Sequence, residues 1–91
     1  MKYKIIRTAR FKKNAKLMQK RGHDMTELNE VIMILAQDKK LPDKYKDHAL
    51  IGNYQGYREC HIKPDWLLIY KIKNDSLCLV LYRTGSHSDL M

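Results

Sequence analysis

Two stretches in the second half of the chain limit what it can fold into. One is the run Trp66 to Tyr70, WLLIY, and the other is Ser76 to Thr84. In the latter, Leu77, Leu79 and Leu81 alternate with Cys78, Val80 and Tyr82. A strand sends successive side chains to opposite faces. Strands with apolar residues at both parities must therefore be covered on both sides, as central strands are. Helices packed on one face cannot do this alone. A bound partner or the terminal segment has to cover part of the other. With 91 residues the chain has material for one small core, and one domain spanning residues 1–91 is expected.

The first of these runs closes a hairpin. Gly56 to Tyr70 reads GYRECHIKPDWLLIY, two strand-like segments about a Lys63-Pro64-Asp65 turn. Pro64 fixes its own φ and lacks a donor, and Asp65 can bond its own backbone; both are turn properties. The next turn, at Asn74-Asp75, leads into the last strand.

Upstream, Lys2 to Arg7 alternates around Tyr3, Ile5 and Ile6 and predicts a short first strand. Thr8 offers an N-cap oxygen to a helix over Ala9–Arg21, with Phe11, Ala15 and Met18 at helical spacing. Gly22 suits its C-terminus. Asp24, with Glu27 three residues on, predicts a capping box for a second helix. Its apolar stripe is Leu28, Val31, Ile32 and Leu35. Leu41-Pro42 ends the helical region. The polar, turn-rich stretch Asp43 to Gln55 is longer than most connections, and long loops in compact domains are often functional. The expected architecture is α+β, in the order β-α-α-β-β-β: two helices packed on a mainly antiparallel four-stranded sheet.

Charge divides the chain. Its net charge is +8, and residues 1–46 carry all of the excess, with 13 Lys and Arg against 5 Asp and Glu. Residues 47–91 carry 5 of each, and residues 1–21 contain no acid at all. Such asymmetry is the footprint of a polyanion binder or of a face that meets an acidic protein; a merely solvated basic face is the plainer alternative. Arg10, Lys12, Lys13, Lys16 and Lys20 lie on the first helix and are the expected contacts. No run of about eighteen apolar residues exists to span a membrane. The basic N-terminus has only Ile5-Ile6 as an apolar patch, too short for a signal peptide. A cytoplasmic location is expected, with Cys60 and Cys78 as reduced, buried thiols rather than a cross-strand disulfide.

Four histidines remain to be explained. His23, at the turn between helices, reads as solvated. His48 in the long loop, His61 at a strand end and His87 in the tail can converge beside Asp65. Metal-free RNA cleavage needs a base for the 2′-hydroxyl, an acid for the departing 5′-oxygen and a cation for the phosphorane. Histidine suits the first two roles, since it titrates near neutral pH. Arg83 could fill the third, Trp66 or Tyr57 could stack on an unpaired base, and Lys46 adds a cation next to His48. Asp65 could orient a histidine or act as a base. The same residues could instead hold zinc, but no HExxH or CxxC spacing supports that. No cofactor is called for.

The order of elements, YRECHIKPDWLLIYKI followed by YRTGSHSDL, and DHAL upstream together resemble the RelE superfamily of bacterial toxins. The match is closest to its YafQ branch and covers nearly the whole chain. The resemblance implies a ribosome-dependent endoribonuclease, the toxin of a type II toxin–antitoxin system, which cuts mRNA in the decoding site and is neutralised by a cognate antitoxin. It places the catalytic set on His48, His61, Asp65, His87 and Arg83, and the tryptophan after the aspartate on Trp66. Relatives commonly end in an aromatic residue that touches substrate; this chain has Met91 there. The implied partners are the antitoxin, the ribosome with its mRNA, and operator DNA only through the toxin–antitoxin complex. Two alternatives stay open: a gyrase-binding toxin of the same fold, and a non-enzymatic co-repressor acting on DNA with its partner.

Overall fold

A computed structural model describes residues 2–90. Its sheet is mixed, with strands β1 (Lys4–Arg7), β2 (His48–Ala49), β3 (Arg58–Lys63), β4 (Trp66–Lys73) and β5 (Cys78–Gly85). They lie in the order β1-β5-β4-β3-β2. β1 runs parallel to β5, and every other pairing is antiparallel. The expected four strands are therefore five. His48 and Ala49 pair with Glu59 and Arg58 as a two-residue edge strand, too short to leave a periodic signal in the sequence.

Helices α1 (Ala9–Lys20) and α2 (Met25–Ala36) pack on one face. The Thr8 hydroxyl caps α1 by accepting the Phe11 N–H at 3.0 Å, and donates to the Tyr82 carbonyl at 2.9 Å. At the other end Gly22 takes φ +92°, letting His23 N–H reach the Met18 carbonyl at 3.2 Å. Asp24 caps α2 by accepting the Thr26 N–H. Glu27, expected to complete a capping box, engages Lys63 at 2.8 Å instead. Phe11, Met18, Leu28, Val31, Ile32 and Leu35 meet Cys60, Ile62, Trp66, Leu68, Tyr70, Leu79 and Leu81 in the main core.

The opposite face is covered from within the chain. Leu67 and Ile69 pack with Leu90, Leu50, Tyr54, Tyr57 and Tyr82. The cover thus comes from the terminal segment, now α3 (His87–Leu90), and from the loop after β2. A register shift opposite Ile69-Tyr70 makes this possible: Ile69 pairs with Arg83 and Tyr70 with Leu81. The extra residue in β5 lets Tyr82 and Arg83 serve the same face. Leu77 is not a strand residue, as its alternation had indicated. It turns with φ +51°, half exposed, just before β5 begins.

Cys60 and Cys78 are buried and free, on strands separated by β4. Burial pushes the Cys60 thiol far up, leaving it protonated and inert. Among the described residues no helix is long and apolar enough to cross a membrane.

Candidate active site

Strand alternation decides which side chains can do chemistry. On β3, Cys60 and Ile62 enter the main core, so Glu59 and His61 project from the opposite face; a register shift after His61 ends the alternation, and Lys63 turns back to Glu27 of α2 on the helix side. On β4, Leu67 and Ile69 lie on that face and Trp66, Leu68 and Tyr70 on the helix side. His48, His61 and His87 stand in a row across the open face. The ring centroids of His48 and His61 are 6.3 Å apart, and those of His61 and His87 5.8 Å.

Each outer histidine is oriented by oxygen acceptors. The His48 Nδ1 lies 2.9 Å from the Lys46 carbonyl, and its Nε2 3.4 Å from Glu59 Oε1. Lys46 has φ +49°, a left-handed turn that aims its carbonyl at the ring. A ring nitrogen facing a carbonyl must donate, so Nδ1 of His48 carries a proton. His87 Nδ1 lies 2.7 Å from Asp65 Oδ1, and the His87 backbone N–H donates to the same oxygen at 3.1 Å. Those contacts, led by the ring hydrogen bond, hold the Asp65 carboxyl below its ordinary range. An ionised Asp65 thus orients the His87 ring through Nδ1, as a carboxylate can fix the tautomer of an imidazole.

Arg83 lies on the same face. Its Nη1 donates to the Tyr54 hydroxyl at 3.4 Å and its Nη2 to the Asp89 carbonyl at 3.1 Å. Its buried Nε–H has no acceptor among the described residues. The guanidinium is fixed to α3 and the β2–β3 loop.

Not every expected contact survives. Trp66 cannot stack on a base: it is 0% exposed, because its position on β4 turns the indole into the helix-side core. There its N–H donates to the Thr84 hydroxyl at 2.9 Å, and Thr84 passes the bond to the Leu67 carbonyl at 2.6 Å. His23 is not simply solvated but packs on that indole at 4.8 Å. Tyr57 is half-buried in an aromatic cluster, 4.9 Å from Tyr82 and with Lys71 Nζ 5.3 Å from its ring. Lys46 is exposed beside His48. Met91 lies outside the described residues. Arg10, Lys12, Lys13, Lys16 and Lys20 are exposed along α1, and Arg10 also donates to the Tyr82 hydroxyl at 3.3 Å.

Sequence reasoning missed Glu59, Tyr54 and Asp47. Glu59 was legible in principle, two residues before His61 and hence on its face. Asp47 stands next to His48 in the chain. It accepts from Arg58 at 3.0 Å and from the Tyr70 hydroxyl at 2.5 Å, tying the His48 segment to the sheet.

Comparison with known proteins fixes the family. The family described as "Bacterial toxin of type II toxin-antitoxin system, YafQ" matches residues 3–91. The chain belongs to the YafQ toxin family. It is 44% identical over 84 residues to the mRNA interferase toxin YafQ of Escherichia coli K12, covering 91% of this chain and 89% of that one. YafQ from the E. coli DinJ–YafQ complex superposes with a TM-score of 0.89 at 40% identity, covering 98% of both chains. A metal-bound toxin from Helicobacter pylori superposes with a TM-score of 0.93 at 44% identity, covering 98% of this chain and 99% of that one. The resemblance read from the sequence is therefore the family, and the α+β fold is shared with these structures.

Proposed function

We propose that this YafQ-family toxin is an endoribonuclease, an mRNA interferase, that cleaves mRNA on the ribosome by proton transfer among His48, His61 and His87. The observation that carries the reading is the histidine row on one open sheet face, with the Arg83 guanidinium beside it. One imidazole removes the 2′-hydroxyl proton, and the 2′-oxygen attacks the adjacent phosphorus. A second, protonated, imidazole supplies the proton that the departing 5′-oxygen needs, and Arg83 offsets the charge of the phosphorane. Asp65 orients His87.

The exposed cations of α1 supply the ribosome-facing surface, and residues 1–91 work as one domain. Cytoplasmic location follows from such a target. As DinJ does for E. coli YafQ, a cognate antitoxin would bind and silence this chain. Charge favours an acidic segment on the groove between α1 and α2, where Arg7, Lys12 and Lys16 surround Phe11, Ala15 and Ile32. Operator DNA would be met only through that complex. A gyrase-binding role for the same fold would have no use for a row of proton-transfer groups.

The H. pylori relative is described as metal-bound, whereas no group of three or more His, Cys, Asp or Glu among the residues described here is placed to share an ion. The reading assigns acid, base and cation to the histidines and Arg83 because those side chains can supply all three. Primer extension on a defined mRNA tests it, with and without programmed ribosomes, EDTA being added to the ribosome-free arm. Discrete in-frame cuts only with ribosomes are expected. EDTA-resistant cleavage of naked RNA would remove the ribosome from the mechanism, and no cleavage in either arm would refute nuclease activity.

A further inference from the structure

α3 has four residues, far fewer than a helix needs to persist on its own. Yet it carries His87, whose ring must stay in register with His61. The bond to Asp65 does not do this alone: the Asp65 side chain is 71% exposed, and an isolated solvent-exposed pair holds little, so further bonds to the segment are needed. What fastens the segment lies on its far side, at Asp89 of the GSHSDL stretch.

Arg21, just beyond α1, reaches around the end of the sheet to Asp89. Its Nη1 meets Oδ2 at 2.6 Å and its Nη2 meets Oδ1 at 3.1 Å, a two-pronged pairing that fixes angle as well as distance. The same carboxylate accepts the Ser86 N–H at 2.9 Å, while the Asp89 N–H donates to the Ser86 hydroxyl at 3.2 Å. The Asp89 carbonyl takes the bond from Arg83 at 3.1 Å. Space for this fold-back comes from Gly85: a Cβ there would stand 2.9 Å from Asp89 Cβ and 3.1 Å from Oδ2. Leu90 is thereby seated against Leu67 and Ile69. The Arg21 guanidinium, then the Ser86 amide, hold the Asp89 carboxyl far below its ordinary range, so the clasp is charged at any physiological pH.

We propose that Asp89, gripped by Arg21 and folded back onto Ser86, is a positioning residue that docks α3 and thereby sets the His87 ring in the histidine row. Asp89 never touches RNA in this account; it acts through His87. The basic first helix is thus tied mechanically to one of the residues assigned to the chemistry. The inference rests on the reading of His87 as part of the nuclease site.

The test opens the clasp from both sides, with Arg21→Met, Asp89→Asn and the double variant, alongside His87→Ala. Hydrogen exchange of the amides of residues 86–90 and the Leu90–Leu67 methyl contact in NMR report docking without any need for activity. Single-turnover cleavage at saturating ribosomes reports the chemical consequence, separately from ribosome affinity. Each single variant should lose α3 protection and roughly tenfold or more in rate, as small misplacements of a reacting group do. The double variant should be no worse than the poorer single one, because both remove the same interaction. Asp89→Asn with α3 still protected and the rate within about twofold would overturn the proposal. So would a rate loss with α3 still docked, since Asp89 would then act directly. Should His87→Ala cleave normally, the assignment of His87 falls, and the exchange data alone still decide whether Asp89 docks α3.

Discussion

The two faces of the sheet are built from alternate residues of the same strands, and they differ in nearly everything else. Toward the helices, Trp66, Leu68, Tyr70, Leu79 and Leu81 are fully buried in a large core. Toward the other side, Leu67 and Ile69 are covered by Leu90, Leu50 and a rim of half-buried tyrosines, and polar groups gather around that small patch. One face supplies stability and leaves the other free to hold three imidazoles, a guanidinium and two carboxylates near water. A single step of strand register separates scaffold from chemistry. Trp66 and Asp65 show it, as neighbours in sequence on opposite sides of that division.

The strongest way to break this contrast is to cut into the closed face. Trp66→Ala should cost about 3–5 kcal/mol of stability, as large-to-small changes in a packed core do, read from urea unfolding. Trp66→Phe, which loses the bond to Thr84 and part of the indole's packing, should cost less than Trp66→Ala and leave cleavage unchanged; a large loss of cleavage would restore the indole to the substrate site. On the open face the pattern should reverse. His61→Ala and His87→Ala should each lower the single-turnover rate by about 10²–10⁴-fold while the urea midpoint barely moves. Equal damage to folding would erase the distinction between the faces.

How much of this was legible beforehand follows from the same geometry. Local signals were enough for Thr8 and Asp24 as caps, Gly22 as a helix stop, the α2 stripe and the Pro64-Asp65 turn, because each depends on residues a few positions apart. The gathering of His48, His61, Asp65 and His87 was anticipated from where their segments begin and end. What stayed hidden depends on pairing between distant segments. β2 is two residues long and exists only against β3. The side taken by Trp66 depends on the register of β4, which a run of five apolar residues does not reveal. Leu50 and Tyr54 read as polar connection and Tyr57 as a base-stacking candidate, yet all three help cover the second face.

Smaller effects sharpen the comparison at its edges. Asp65 and Asp89 have folded-state pKa values below the ordinary carboxylate value, through His87 and Arg21 respectively. Their stabilising contribution is complete above about pH 4, the unfolded value, and is lost as pH falls through the folded values. Asp89→Asn should therefore lower the urea midpoint at neutral pH and flatten its decline below about pH 4; an unchanged acid limb would mean that the clasp is not formed in solution. The smallest change is expected far from both faces. Replacing Lys12 and Lys16 together by glutamine should weaken ribosome binding and reduce the slope of log affinity against log salt by about 2, roughly one per lost phosphate contact. An unaltered slope would remove those lysines from the interface.

The central claim is that the open face cleaves RNA by moving protons between its own side chains and the 2′-hydroxyl. Mass spectrometry of the product ends, after cleavage on programmed ribosomes, tests it most directly. Attack by the 2′-oxygen predicts a 2′,3′-cyclic phosphate, or the 3′-phosphate formed by its hydrolysis, on one fragment and a 5′-hydroxyl on the other. A 3′-hydroxyl paired with a 5′-phosphate would contradict the account, because water rather than the 2′-oxygen would then have attacked the phosphorus.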